Sequence, residues 1–429
     1  MENSAKKGWI VTFSGTGINL ALGILYAWSV IKGGIPDSWG WSNADKALPY
    51  SIACLVFALT MVPSGKLQDS IGPRWVATMG GVLTGLGFIV AYFAGSSLPG
   101  FVIGFGVLGG AGFGFGYAAT TPPAVKWFPP QKTGLIAGLV VAGFGLASVY
   151  IAPLATKLLS AYSTTNANGV VEKGVSLTML TFGIGFLVVV CILAQFISNP
   201  PAGYKPQVPA GAAASSHHYG KDYSAKEMMK TAQFYILWLM FFAGSAAGLT
   251  FISVAQDLGK KSLGELAFLA VVVLSIGNAG GRILAGVISD RIGRQWTLFG
   301  AYMIQTCAVL ALYFMAVKGA DWGQGWAIVM VVVAFIGANY GANLSLFPSA
   351  AKDFFGLKNY GMNYGLIFTS WGIAGLVMAW INGLFKDMQR PELSYYMIIA
   401  ILLAGAALTF VSRAIAKTDE DKAKEEKAA

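Results

Sequence analysis

Long apolar runs separated by short polar loops dominate this chain. A helix needs ~20 mostly apolar residues to cross a bilayer. We place twelve such runs at 9–32, 47–64, 75–95, 99–122, 134–157, 175–197, 233–254, 266–286, 297–317, 324–347, 361–384 and 394–415. The pattern therefore predicts an all-α membrane protein with twelve transmembrane helices, called spans 1 to 12 below.

The composition agrees with lipid as the solvent. Hydrophobic residues make up 55% of the chain and charged residues 11%, whereas a soluble domain carries about 25% charged residues. The three cysteines lie inside apolar runs without metal-ligand spacing, and His217 and His218 of the longest loop are the only histidines. We expect no disulfide framework, no metal and no cofactor. The net charge of +10 is spread over loops, so nucleic-acid binding is not expected.

Basic residues predict the orientation of the chain. If both termini lie on one side, 19 Lys and Arg residues fall on that side, nine fall on the other, and Arg282 lies inside a span. Cytoplasmic loops carry the excess of Lys and Arg. The sequence thus predicts a multi-pass protein of the cell membrane with cytoplasmic termini.

Two loop sequences recur at nearly the same separation. Residues 65–74, Gly-Lys-Leu-Gln-Asp-Ser-Ile-Gly-Pro-Arg, follow span 2, and residues 286–294, Gly-Val-Ile-Ser-Asp-Arg-Ile-Gly-Arg, follow span 8, 221 residues later. The end of span 4 at 122–128 is echoed 226 residues later, at 348–354 of span 10. Internal repeats of this kind place a transporter's site between the repeats, near the middle of the membrane.

The repeat predicts a division of the chain into four parts. We expect an N-terminal six-helix bundle at 1–198, a cytoplasmic linker at 199–231, a C-terminal six-helix bundle at 232–416 and a charged cytoplasmic tail at 417–429. The two bundles are called the N half and the C half below.

The repeated Gly-x-x-x-Asp-x-x-Gly-Arg loop resembles that of the major facilitator superfamily, and the resemblance covers the whole chain. It implies two pseudo-symmetric bundles that expose the site to each side in turn. In such transporters this loop latches the halves together on the cytoplasmic side. The resemblance assigns that gating role to Asp69, Arg74, Asp290, Arg291 and Arg294. The alternative is that these residues only set the topology.

A narrower resemblance rests on residues 117–128, 278–294 and 347–361. These segments are similar to the oxalate:formate antiporter family, which borders the monocarboxylate porters that carry lactate and pyruvate. The chain looks most like a bacterial, lactate-type monocarboxylate transporter. The resemblance implies a small organic anion as substrate.

Arg282 lies within span 8, and no Asp, Glu or His lies deep in any apolar run. A cation inside a span costs ~2.5–3.5 kcal/mol on insertion scales and faces the bundle interior. The missing counter-ion is most simply the substrate, because a guanidinium matches a carboxylate in a two-pronged hydrogen bond. The alternative is that Arg282 extends to the interface or caps backbone carbonyls.

Asn278 lies four residues before Arg282 and hence on the same helix face. It could orient the guanidinium, bond a substrate hydroxyl or join two helices. By resemblance to the monocarboxylate porters, the corresponding position in those proteins is an Asp that is involved in proton coupling. Asn cannot ionise, so any coupled proton must take another route. In the first repeat Phe57 and Met61 stand at the places of Asn278 and Arg282, which gives the site one charged side.

Oxalate antiporters resemble one another in a Lys within span 11, where this chain has Ile367. The second cation that a dicarboxylate needs is absent there, which favours a monocarboxylate. The resemblance completes the pocket with aromatic and apolar side chains. They are Tyr26, Tyr117, Tyr340 and Tyr364, together with Leu25, Leu344 and Ile367.

Three functions compete. The first is proton-coupled transport of a small monocarboxylate such as L-lactate by a monomer, with H⁺ and the lipid bilayer as the other partners. The second is exchange of anions of the oxalate and formate type. The third is a membrane enzyme or a sensor. An enzyme would need an intramembrane His, Asp or Ser cluster and a sensor would need a sizeable soluble domain, and the sequence shows neither. We therefore predict a transporter and not an enzyme.

Overall fold

The computed structural model describes residues 2–129, 132–165, 169–201, 203–204, 222–317, 325–356 and 359–428. Twelve helices in these ranges are long and apolar enough to cross a membrane, from Lys6–Lys32 to Glu392–Ile415. The predicted number of spans is thus confirmed. His217, His218 and much of the predicted linker lie outside the described residues.

The helices of the N half include two departures from α-helical geometry. Span 1 runs through Glu2–Leu22, a 3₁₀ segment at Gly23–Ala27 and Trp28–Lys32; span 2 is Asn43–Ile71 and span 3 is Pro73–Ala94; span 4 is Leu98–Phe101, a π-helical Val102–Gly109 and Gly110–Lys126; spans 5 and 6 are Thr133–Ala161 and Val175–Ala194. A short 3₁₀ turn, Asp37–Trp39, precedes span 2, and the strands Thr164–Thr165 and Val171–Glu172 pair between spans 5 and 6.

A one-turn helix, Ala225–Met228, lies in the predicted linker and precedes the C half. The spans of the C half are Ala232–Leu263, Phe268–Ile292 after a 3₁₀ turn at Gly264–Ala267, Arg294–Ala316, Trp326–Phe355, Tyr360–Asp387 and Glu392–Ala428. Most helices pass a predicted span end by several residues, because hydropathy marks the lipid-covered part while backbone hydrogen bonds continue beyond it, whereas the helix of span 6 ends at Ala194, before the predicted end at 197. The last helix likewise continues into the predicted tail.

The repeated loop has the same backbone in both halves. Gly72 has φ 86° and ψ 158°, and Gly293 has φ 90° and ψ 157°. Both glycine N–H groups donate 3.0 Å bonds, to the carbonyls of Gln68 and Ser289 respectively. Only glycine adopts this positive φ without strain, which explains the shared Gly of the two loops.

Helix packing repeats as well. Span 3 packs on spans 4 and 6 in the N half, and span 9 packs on spans 10 and 12 in the C half; span 1 lies against span 5 as span 7 lies against span 11. The halves meet mainly where span 2 packs on span 11 and span 5 on span 8. These two contacts exchange when every span number is shifted by six, as a pseudo-two-fold axis requires.

Spans 8 and 10 approach at backbone distance through glycines. A Cβ added at Gly281 would lie 1.9 Å from the Ala338 carbonyl oxygen, and one at Gly341 would lie 2.0 Å from that of Asn278. Small residues allow such close approach between membrane helices. The pair therefore holds the helix that carries Arg282 against its neighbour with no room for a methyl group.

We expect Gly281→Ala to destabilise the folded protein by about 1–3 kcal/mol, since overpacking forces the backbones apart. Gly280→Ala is the matched control, because a Cβ there meets nothing within 4 Å. The thermal unfolding midpoint of both variants in the same detergent measures the difference. Equal midpoints for the two variants would show that the close approach is not a constraint.

Candidate functional site

Arg282 is buried where the two halves meet. Its side chain is 8% exposed. Nε donates a 3.0 Å hydrogen bond to Oδ1 of Asn278, one helical turn earlier, and Nη1 donates a 3.2 Å bond to the carbonyl of Val141 in span 5. A Cβ added at Gly145 would lie 3.6 Å from Nη2, so a small residue makes room for the guanidinium. Arg282 therefore does cap a carbonyl, but it does so deep between the halves.

Neutral groups satisfy this cation in the described part of the chain. No carboxylate there lies within ion-pair distance of Arg282. Asn278 is fully buried, and its Nδ2 has no hydrogen-bond partner among the described residues. Buried polar groups are normally hydrogen-bonded. The guanidinium and the Asn278 amide thus leave donor capacity for an anion.

Tyr26 lies where span 1 departs from α-helical geometry. Gly23 begins the 3₁₀ segment, and a Cβ there would lie 2.3 Å from the Ala147 Cβ. The tight contact holds span 1 against span 5, and the ring of Tyr26 meets Phe144 edge to face at 5.0 Å. Phe144 also meets Tyr117 at 5.5 Å. Tyr26 and Tyr117 are thereby brought together beside the segment that contacts Arg282.

An aromatic stripe on span 11 of the C half faces these rings of the N half. Tyr360, Tyr364, Phe368 and Trp371 recur at helical spacing, with ring centroids 5.9, 5.8 and 4.9 Å apart in succession. The first two are half-buried, whereas Phe368 is 2% exposed and Trp371 is fully buried. The rings of this stripe are therefore more deeply buried with increasing distance from the face that carries the termini.

The rings of both halves meet at Phe57 of span 2. Its centroid lies 5.5 Å from that of Tyr117, 5.9 Å from that of Phe368 and 5.2 Å from that of Trp371. Tyr340 of span 10 completes the set, because its hydroxyl lies 2.7 Å from that of Tyr26. We call these packed aromatic side chains the aromatic chamber, and Arg282 is the cation beside it among the described residues.

Several chamber residues were not predicted from the sequence. They are Phe57 as a ring contact, Phe144, Phe368 and Trp371. The stripe at 360, 364, 368 and 371 is a readable signal, since residues three or four apart share a helix face. Leu25, Leu344 and Ile367 are buried in the common core, and their contact with a ligand stays a prediction.

The predicted gating residues do not form one described cluster. Arg74 and Arg291 are exposed, and the side chains of Asp69 and Asp290 lie outside the described ones. Arg294 Nε donates a 3.3 Å hydrogen bond to Asp353, in the last turn of span 10, and Arg294 also contacts Ser289. Their joint gating role stays a prediction.

The halves are also joined on the face opposite the termini, by bonds that sequence reasoning missed. Asp387, at the end of span 11, accepts three 2.9 Å hydrogen bonds from the backbone N–H and side-chain amide of Asn43 and from the N–H of Ala44. These donors begin span 2, and helix N-termini favour negative charge. Next to Asp387, and within the C half, Lys386 pairs with Asp257 of span 7 at 3.1 Å.

Buried Lys32 of span 1 lies near both Lys386, which repels its charge, and Asp257, which attracts it. The N half thus contributes a cation near the Asp257–Lys386 pair of the C half. The bonds of Asp387 therefore join the halves on the face opposite the termini.

Comparison with known proteins agrees with this architecture. The profile of the Major Facilitator Superfamily matches residues 9–379. A solved bacterial homolog of the human lysosomal transporter Spinster, inward-facing and occupied, superposes with a TM-score of 0.70 at 16% identity, over 95% of this chain and 97% of that one. That likeness shows a shared fold.

Two relatives are similar over most of their length. The oxalate:formate antiporter of Oxalobacter formigenes is 29% identical, over 82% of this chain and 79% of that protein. Human monocarboxylate transporter 11 is 24% identical, over 94% of this chain and 82% of that protein. The predicted resemblance to the oxalate and monocarboxylate group is thus confirmed.

We expect Asp387→Ala to loosen the contact between the halves on the face opposite the termini. A carboxylate that caps a helix N-terminus contributes about 1 kcal/mol, which corresponds to a roughly fivefold shift between closed and open forms. Spin labels on Val171→Cys and Leu266→Cys, both exposed on this face, should report a longer mean distance.

The control for this measurement is Asp37→Ala in the same labelled background, from which the native cysteines are removed. Asp37 pairs with Lys46 at 3.2 Å inside the N half, so its loss should leave the label distance unchanged. An unchanged distance in Asp387→Ala would contradict a role for this carboxylate in holding the halves together.

Proposed function

The chain belongs to the major facilitator superfamily, and on that premise we propose that it carries a small monocarboxylate of the L-lactate type across the cell membrane. It is a multi-pass membrane transporter rather than an enzyme. We further propose that both termini are cytoplasmic, in keeping with the basic residues on that side. Access to the site then alternates between the two faces as the halves move against each other.

The buried cation of span 8 is the observation that supports this proposal most strongly. Arg282 donates to Asn278 of its own half and to Val141 of the other, and no described carboxylate neutralises it. A bound carboxylate would supply the missing charge and occupy the remaining donors of the guanidinium. Because the partners of Arg282 belong to both halves, an anion bound to Arg282 also lies at the contact that changes when the halves move against each other.

The chamber around Arg282 favours a short substrate with one charged end. Phe57, Phe144 and Phe368 offer apolar walls, whereas Tyr26 and Tyr117 offer hydroxyls without a fixed charge. Ligand sites commonly combine such walls with a few placed polar groups. A second carboxylate would meet no second cation at Ile367, which is fully buried in the core.

Proton coupling is part of the proposal. Asn278 cannot ionise, so the proton is not carried at that position. Neutralisation of Arg282 by the anion lowers the cost of closing the chamber around a charge. A weak acid that enters as an anion together with a proton then moves through the membrane without net charge.

Exchange of organic anions is the second candidate function. It is favoured by the 29% identity to the oxalate:formate antiporter. Both candidate functions use Arg282 to bind a carboxylate. They differ in whether transport is coupled to protons or to a second anion, and in whether a second carboxylate is tolerated.

We expect Arg282→Gln to reduce radiolabelled L-lactate uptake into proteoliposomes by about 100-fold or more. Loss of two charge-assisted hydrogen bonds, at about 1.5 kcal/mol each, gives that factor. Arg413→Gln is the control, because Arg413 of span 12 lies 4.7 Å over the Trp296 ring of span 9, away from the chamber. Normal uptake by the folded Arg282→Gln protein would remove the basis of the proposed site.

A second experiment distinguishes symport from exchange. We expect an inward proton gradient to drive L-lactate uptake into empty vesicles, and oxalate in tenfold excess to leave the rate unchanged. Uptake that ignores the gradient and requires an anion loaded inside, or that oxalate blocks, would favour the exchanger instead.

A further inference from the structure

Three buried rings form a continuous hydrogen-bond chain across the halves. Nε1 of Trp371 lies 2.7 Å from the Tyr340 hydroxyl, which lies 2.7 Å from the Tyr26 hydroxyl. Trp371 is fully buried, Tyr340 is 1% exposed and Tyr26 is 3% exposed. This hydrogen-bond chain thus begins in span 11, passes through span 10 and ends in span 1 beside the chamber.

The chemistry of the groups gives this chain a direction. An indole N–H is a donor only, so the Tyr340 oxygen accepts from Trp371. The Tyr340 hydrogen then needs its own acceptor, and among the described residues its bonded partner is the oxygen of Tyr26. The reverse order would leave the Tyr340 hydrogen unsatisfied in a buried place, which is costly. The direction is therefore Trp371 to Tyr340 to Tyr26.

The hydrogen of Tyr26 remains as the end of the chain. In the described structure its hydroxyl is bonded to that of Tyr340 and to no other group. The Tyr26 ring packs on Phe144, and the next residue, Gly145, lies against the guanidinium of Arg282. An anion held by Arg282 would bring an acceptor oxygen to this side of the chamber.

We infer that Trp371 is a positioning residue of the ligand site, which acts through Tyr340 to make the Tyr26 hydroxyl a donor to the bound anion. The inference rests on the proposed function, because the acceptor is the anion clamped by Arg282. It assigns a ligand-directed role to a tryptophan in the middle of span 11 that packing alone would explain only as core.

The test measures L-lactate uptake kinetics for Trp371→Phe, which keeps an aromatic ring and removes the donor. We expect KM to rise about 3- to 10-fold with kcat changed less than twofold, since a misdirected neutral donor weakens binding by the worth of one hydrogen bond. Tyr26→Phe should raise KM by at least as much. The double variant should match Tyr26→Phe alone, because residues in one network are not additive.

Trp238→Phe is the matched control. Trp238 also donates its indole N–H to span 11, at 3.1 Å to Thr369, but it is not part of the hydrogen-bond chain from Trp371 to Tyr26. We expect its KM to equal that of the unsubstituted protein. Tyr340→Phe breaks the chain in the middle and should reproduce the rise in KM, which keeps the test available if Trp371→Phe does not fold.

An unchanged KM in folded Trp371→Phe would overturn the inference, and so would either of two further outcomes. One is an unchanged KM in Tyr26→Phe. The other is a rise in KM on Trp371→Phe that is equally large in the Tyr26→Phe background, which would make Trp371 a packing residue. Both are distinct from failure of the proposed function, in which Arg282→Gln transports L-lactate normally or the unsubstituted protein does not transport it at all.

Discussion

A guanidinium buried between two helical bundles, with neutral partners in the described structure, is the constraint on which the interior depends. Burying a charge is costly unless it is paired or well hydrogen-bonded. Arg282 obtains one acceptor from its own helix and one from the opposite half, so its position is defined only when the halves are together. The aromatic walls keep the surroundings apolar, where a charge–charge interaction is much stronger than in water.

Much of the fold could be predicted because it depends on local properties of the chain. Lipid requires runs of apolar residues, and these located all twelve spans. The repeated loop was readable because its Gly72 and Gly293 must adopt a positive φ, which few other residues tolerate. Arg282 stood out for the same reason, since a cation within an apolar run is exceptional on composition alone.

The remainder could not be predicted because it depends on partners distant in sequence. The 3₁₀ segment that places Tyr26 reflects the fit of Gly23 against span 5, and nothing in the local sequence of span 1 requires it. The cap that Asp387 provides for span 2 joins residues more than 340 positions apart. Trp371 belongs to the readable aromatic stripe of span 11, but only its 2.7 Å bond to Tyr340 distinguishes it from a residue that packs in the core.

The close approach of spans 8 and 10 has a mechanical consequence. Gly341 touches the backbone of Asn278, and its neighbour Tyr340 fills the space above Gly248 of span 7. Neither contact has the clearance of a methyl group, so the backbone that carries Arg282 has little room to shift against that of Tyr340. The helix that carries Arg282 and the ring that bridges to the opposite half are therefore parts of one closely packed body, which borders the seam where the two halves meet.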